Sequence, residues 1–307
     1  MTEIYYNLYN NGNKTITFIL GIEKLALRNF KYNNIQMIVG NEFDFFPEQI
    51  DLLYEAIVKN EIKSVNIIGM SKTCTSGVVY ATALTERLVD MPINLFLFSP
   101  YTTIDEKFYR ENNLLESVPR SLKIMWKKQS LHEEFLNYRD VISLVLFKNV
   151  QIFVIFPQYG VHCEPECASR IAHQENVTLI PLRVSTHAVL LPFWNQLKWD
   201  LKIEAFENEF AYLNIKDYWY YSFFQKEFKV KDSLYELMFD HRIFLKKLDI
   251  FNEKMGKIKI PFSFTLIFTC INWKLKAEKF VFRNIRKMNK ILSRLFSRNL
   301  NKHEQKG

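Results

Sequence analysis

The chain has 307 residues, 48% hydrophobic and 24% charged, a balance that suits one large globular domain or a domain with an appendage and argues against disorder. Its formal charge of +8 is concentrated near the end, where eleven Lys or Arg stand between Lys274 and Gly307 against Glu278 and Glu304. Four cysteines do not suggest a disulfide framework, and eight glycines leave no phosphate-cradling loop of the Walker or dinucleotide type.

In chain order, TITFIL (Thr15–Leu20) and IQMIV (Ile35–Val39) read as strands. Pro47–Lys59 carries Ile50, Leu53, Ala56 and Ile57 at helical spacing. Val65–Ile68 is a third strand, and Gly77–Val89 a helix with Val78, Ala81, Leu84 and Leu88 on one face. INLFLF (Ile93–Phe98), VQIFVIF (Val150–Phe156) and VTLIPL (Val177–Leu182) are further strands, with a mostly helical insertion over 107–148. The strands are apolar throughout instead of at alternate positions. That predicts an α/β fold, a mainly parallel sheet covered by helices on both faces. The reading assigns 1–200 to this domain and 201–307 to a mostly helical, aromatic and basic extension. DYWYYSFFQKEFKVK and LYELMFDHRIFLKKL are read there as amphipathic helices.

In open α/β sheets ligands meet the carboxyl ends of the strands, so residues just past each strand are the candidates for chemistry. Ser71 lies in VNIIGMSK (Val65–Lys72), where a strand turns at once into a helical pattern. That turn is either an ordinary connection or a corner that presents a nucleophile, with helix N-terminal N–H groups near an oxyanion. His187 follows VTLIPL and is the candidate base. His162 also follows a strand, while His132, His173 and His241 fall in expected helices and His303 in the tail. After VQIFVIF comes PQYGVHCEPECASRIA, in which Glu164 or Glu166 could orient the histidine; either could instead be a helix N-terminal charge, and Glu164 is favoured. Cys74 is read as a packed, inert thiol, and Cys163 with Cys167 lacks the second pair a zinc site needs, so no metal is expected.

The order Ser71, Glu164, His187, together with GMSK and the segment FSPYTTID (Phe98–Asp105), resembles α/β-hydrolases. The likeness is to the subset with a G-x-S-K-G-G elbow that includes bacterial capsular-polysaccharide O-acetyltransferases, and it covers roughly residues 14–195. The resemblance implies a Ser71 nucleophile, a His187 base, and oxyanion donors from the Lys72 backbone and the loop near Gly21 or Ile22. It implies an acyl group passed to water or to a sugar hydroxyl, with a glycan or small ester as partner. No cofactor follows beyond an acyl-CoA that could serve as donor. Thr73 and Cys74 stand where that subset has two glycines, and a β-branched Thr73 is expected to press the helix away from the strand. Those two residues favour the alternative of a non-catalytic hydrolase-fold binding or assembly protein at the membrane surface in glycan biosynthesis.

Lys279–Phe296 spaces Phe282, Ile285, Met288, Ile291 or Leu292, and Leu295 along one face with Lys and Arg opposite. This pattern fits a helix on an anionic membrane surface, or equally a terminal helix docked on the domain. No nucleic-acid motif accompanies the charge, so nucleic acid is not expected as a partner. The opening MTEIYYNLYNN lacks a signal-peptide pattern and Ile260–Ile271 is too short to span a bilayer. A cytoplasmic location, peripheral on the inner membrane through the tail, is the expectation.

Overall fold

A computed structural model of the chain describes residues 3–7, 14–22, 33–39, 47–71, 73–118, 122–123, 126, 140–160, 163–194, 214–263, 265–266, 269–270 and 273. Among these, seven strands form one sheet in the order β1-β3-β2-β4-β5-β6-β7. They are β1 (Glu3–Asn7), β2 (Thr15–Ile22), β3 (Asn34–Val39), β4 (Ser64–Met70), β5 (Ile93–Phe98), β6 (Val150–Pro157) and β7 (Val177–Leu182). The pairs from β3 through β7 are parallel, and β1 runs antiparallel along β3 with Tyr5 opposite Gln36. The α/β class expected from the alternation is the class observed.

Each face of the sheet has its own cover, and the pleat decides which residues go where. Val65, Ile67, Leu95, Leu97, Ile152 and Val154 share a core with Ile50, Leu53 and Ile57 of α1 (Pro47–Lys59) and Val78, Ala81 and Leu84 of α2 (Thr73–Arg87). The intervening Ile68, Phe96, Phe98, Phe153 and Ile155 are equally buried and point the other way. There Phe96 stacks on Phe153 at 4.7 Å, and Phe98 meets Phe193 edge-on at 5.4 Å. Phe193 in α5 (Leu191–Trp194) in turn packs on Phe224 at 5.1 Å and Phe244 at 5.9 Å. Fully burying such a side chain contributes about 1.5–3 kcal/mol.

The second cover therefore comes from α6 (Ile215–Phe228), α7 (Val230–Phe239) and α8 (His241–Lys257). By contacts the chain divides into Met1–Leu197 with Tyr220–Lys257, and a second unit of Lys198–Trp219 with Ile258–Gly307. Residues 220–257 thus group with the sheet domain, where Phe224 and Phe244 pack on Phe193. LYELMFDHRIFLKKL is also two helices, broken at Asp240 between α7 and α8. In the second unit Phe262 and Trp273 are exposed. Among the described residues no helix is long and apolar enough to cross a membrane. The stretch 279–296 lies outside the described residues, as does most of the 107–148 insertion beyond α3 (Glu106–Glu111) and a 3-10 turn at Val141–Leu146.

The start of α2 corrects the expectation for Thr73. A Cβ built on Gly69 would stand 2.8 Å from the Cys74 Cα and 2.9 Å from the Thr73 carbonyl oxygen, so the helix lies tight against β4. Thr73 does not push it off. Its buried hydroxyl accepts the Met70 N–H at 2.8 Å and faces the Leu20 and Met70 carbonyls at 3.0 and 2.9 Å. The close approach is supplied by a glycine on the strand, and the threonine ties the strand ends to the first turn of the helix.

Candidate active site

Ser71 follows β4 and adopts φ 52°, in the left-handed region that a residue with a Cβ seldom occupies. Its N–H donates to the Phe98 carbonyl at 2.8 Å, which continues the β4–β5 pairing one step past Met70. Its carbonyl accepts the Cys74 N–H at 3.1 Å, so chain direction reverses into α2 within a few residues. Ser71 and Met70 stay partly exposed, while Gly69 before them and Thr73 at the start of α2 are buried. A strained, accessible serine between a strand end and a helix start is the geometry of a presented hydroxyl.

The candidate acid comes from α4 (Glu164–Ser169), which follows β6. Pro165 fits the first turn of that helix, where the missing N–H costs nothing. The Glu164 side chain is fully buried, and its Oε1 lies 2.7 Å from Nδ1 of His187. As a carboxylate Glu164 can only accept, an arrangement that calls for the ring proton on Nδ1. Among the described residues Glu164 Oε2 has no hydrogen-bond partner. A Cβ on Gly160 would come within 2.7 Å of that oxygen, so the glycine makes room for the carboxylate. Glu166 is exposed and takes no part in this contact. The choice left open between the two glutamates is resolved in favour of Glu164 as the partner of His187.

His187 stands in the loop after β7, and four contacts hold that loop and its ring. Its carbonyl accepts the Ser99 hydroxyl at 2.5 Å and the Val189 N–H at 2.9 Å. Tyr221 of α6 donates to the next carbonyl, Ala188, at 3.1 Å. The Tyr101 ring lies nearly parallel to the imidazole, at 23° and 6.0 Å between centroids. Ser71, Ser99, Glu164 and His187 thus follow four neighbouring strands, β4 through β7, at their carboxyl ends.

Two oxyanion candidates fare differently. Ile22 ends β2, the strand hydrogen-bonded to β4, and so lies on the same edge of the sheet as Ser71. Lys72 and His162 lie outside the described residues. His173, expected in a helix, lies in the turn after α4, and His241 opens α8 with its ring 5.1 Å from Phe153. Burial and the neighbouring Arg242 lower the His241 pKa.

The thiols are packed away. Cys74, Cys163 and Cys167 are buried, and desolvation pushes the Cys74 thiol well above its ordinary range. Cys163, hydrogen-bonded to Cys167 and buried, is likewise raised. No group of three His, Cys, Asp or Glu fit to hold a metal occurs among the described residues. Sequence reasoning missed Ser99 and Tyr101 as parts of the site. Both stand in the quoted FSPYTTID segment, and nothing in a serine or tyrosine there signals a contact with residue 187, 88 positions away in the case of Ser99.

No family model matches the chain, and no curated protein matches it. Among solved structures it is similar to a Staphylococcus aureus protein described as an esterase, with a TM-score of 0.43 at 13% identity over 59% of this chain and 70% of that one. It is similar to a hormone-sensitive lipase from a metagenome library, with a TM-score of 0.43 at 14% identity over 59% of this chain and 75% of that one. A Bacillus anthracis hydrolase of the alpha/beta fold family gives a TM-score of 0.35 at 16% identity, over 61% of this chain and 88% of that one.

Proposed function

We propose that the chain is a serine-dependent acyl-transfer enzyme, an esterase or O-acyltransferase, working through Ser71, His187 and Glu164. The buried Glu164 carboxylate held on His187 Nδ1 at 2.7 Å carries the reading. A carboxylate in a dry site behind a half-exposed histidine has an evident purpose if the ring must gain a positive charge during a reaction cycle.

In this reading Ser71 Oγ attacks an acyl carbonyl and its proton passes to His187 Nε2. The tetrahedral oxyanion is met by backbone N–H groups, those of Lys72 and Ile22. Each such donor contributes about 10²–10³ in rate. Collapse breaks the bond to the leaving alcohol, which takes the proton from Nε2. Water or a sugar hydroxyl then attacks the Ser71 ester with the ring again acting as base. None of these steps calls for a cofactor; an acyl-CoA is one donor the chemistry admits. The GMSK and FSPYTTID resemblances favour a surface glycan as acceptor, and the basic stretch 279–296 would bring the enzyme to the anionic membrane where such glycans are built.

The test is hydrolysis of p-nitrophenyl acetate by the full chain and by Ser71→Ala. The reading expects loss of nearly all turnover in the variant, because the three groups act as a unit. Equal rates would leave the non-catalytic, membrane-surface assembly role in its place.

A further inference from the structure

Ser99 is a second serine in a strained backbone. It has φ 49° and no solvent exposure, and it closes β5 as Ser71 closes β4. Its N–H donates to Ile155 at 2.7 Å, continuing the pairing with β6, and its hydroxyl donates to the His187 carbonyl at 2.5 Å. Buried strain of this kind persists only where the surroundings hold it, and here they hold it to a backbone group of the candidate base. The next residues extend the grip. Tyr101, 5% exposed, lies against the imidazole, and the Thr102 hydroxyl donates to the Cys167 carbonyl of α4 at 2.6 Å. Arg170, just past α4, reaches back to the Thr102 carbonyl at 3.1 Å while pairing with Asp140.

We propose that Ser99–Thr102 is a positioning segment: Ser99 and Tyr101 fix the loop and ring of His187, and Thr102 fixes the helix that carries Glu164, so one short stretch sets the base against its acid. The proposal rests on the reading of Ser71 as nucleophile. Ser99 and Tyr101 touch no reacting atom in it; they act through the imidazole.

The physical reason is tolerance. The His187 loop and α4 belong to different strand connections, and small errors in each would add at the Glu164–His187 contact. Misplacement by about 1 Å at a reacting centre can cost on the order of 10² in rate. A single segment bonded to both removes that freedom.

The experiment measures the second-order rate of covalent labelling by a fluorophosphonate, and the kcat and KM for p-nitrophenyl acetate. The proteins compared are wild type, Ser99→Ala, Ser99→Gly, Tyr101→Phe and Tyr101→Leu, with Ser71→Ala as the blank. Ser99→Gly suits φ 49° and keeps the fold testable if Ser99→Ala does not fold. The proposal expects both Ser99 variants to label and turn over at least tenfold more slowly, with KM nearly unchanged. It expects Tyr101→Phe to resemble wild type, and Tyr101→Leu to lose rate as the Ser99 variants do. A folded Ser99→Gly that labels at the wild-type rate overturns the positioning role while leaving Ser71 as nucleophile. Wild type labelling no faster than Ser71→Ala overturns the reading beneath it, and this role with it.

Discussion

Glu164 Oε1 and His187 Nδ1 meet at 2.7 Å, the carboxylate wholly buried and the imidazole 31% exposed. The pair joins a loop after β7 to a helix after β6, and among the described residues Oε2 of its buried half has no second partner. A buried charge with one partner is costly to leave alone. Glu164→Gln keeps the volume but loses the charge and the fixed tautomer of the ring. Esterase turnover should fall by about 10⁴-fold. Glu166→Gln, on the exposed side of the same helix, should leave turnover within a factor of two or so of wild type. Steady-state kinetics on the two variants checks both.

Gly160 tests the same contact through space. Its would-be Cβ falls 2.7 Å from Glu164 Oε2 and 3.1 Å from a Pro157 side-chain carbon. Gly160→Ala must therefore move the carboxylate. Turnover should drop by at least about tenfold, since positioning errors are expensive in rate. Thermal melting with parallel kinetics separates this from simple unfolding: the loss of rate should exceed what the fraction unfolded explains.

Thr73 carries a stability prediction. Its hydroxyl serves the Met70 N–H and the Leu20 and Met70 carbonyls at the root of the Ser71 turn. Thr73→Val keeps the shape and strands these groups, which should cost about 1–3 kcal/mol. Gly69→Ala should cost a similar amount by forcing a backbone contact of 2.8 Å apart. Denaturant unfolding measures both, and the prediction for Thr73→Val fails if its midpoint equals that of wild type.

Thiol chemistry offers a simple count. Cys270 is exposed, while Cys74, Cys163 and Cys167 are buried. A disulfide reagent at neutral pH should find a single fast thiol in the native protein and four after denaturation. Because burial raises the Cys74 pKa, its folded form resists ionisation. The unfolded thiol, with the ordinary value, sheds its proton first, so this group's contribution is intact at neutral pH and declines as pH rises past about 8.5. A melting series above that pH should show a falling midpoint that Cys74→Ala makes shallower.

How much of this was legible in the sequence varies with where each residue's partners lie. Ile93–Phe98 and Val177–Leu182 coincide with the observed β5 and β7, because continuous apolar runs bounded by polar turns are local signals. β1 was missed: EIYYN is short, lies at the sheet edge, and owes its conformation to pairing with β3. The helix α2 starts at Thr73 instead of Gly77 because its first turn is set by contacts with β2 and β4 and has no apolar periodicity of its own. The aromatic segments past residue 220 read as a separate extension because a helix's apolar face does not name its partner; the edge-on contacts from Phe98 through Phe193 to Phe224 supply it. Within the site, residue types and order pointed to Ser71, Glu164 and His187. The choice of Glu164 over Glu166, and the roles of Ser99 and Tyr101, depended on which side of a helix and which end of a loop face inward.

The account stands or falls on Ser71 becoming acylated. Wild type and His187→Ala would be incubated with a fluorophosphonate, digested, and the modified peptide located by mass spectrometry. The account predicts an adduct on Ser71 in wild type, with labelling slowed by at least about 10³-fold in the variant, because the hydroxyl is weak without its base. An unmodified Ser71, or an adduct that forms as fast without His187, would contradict it.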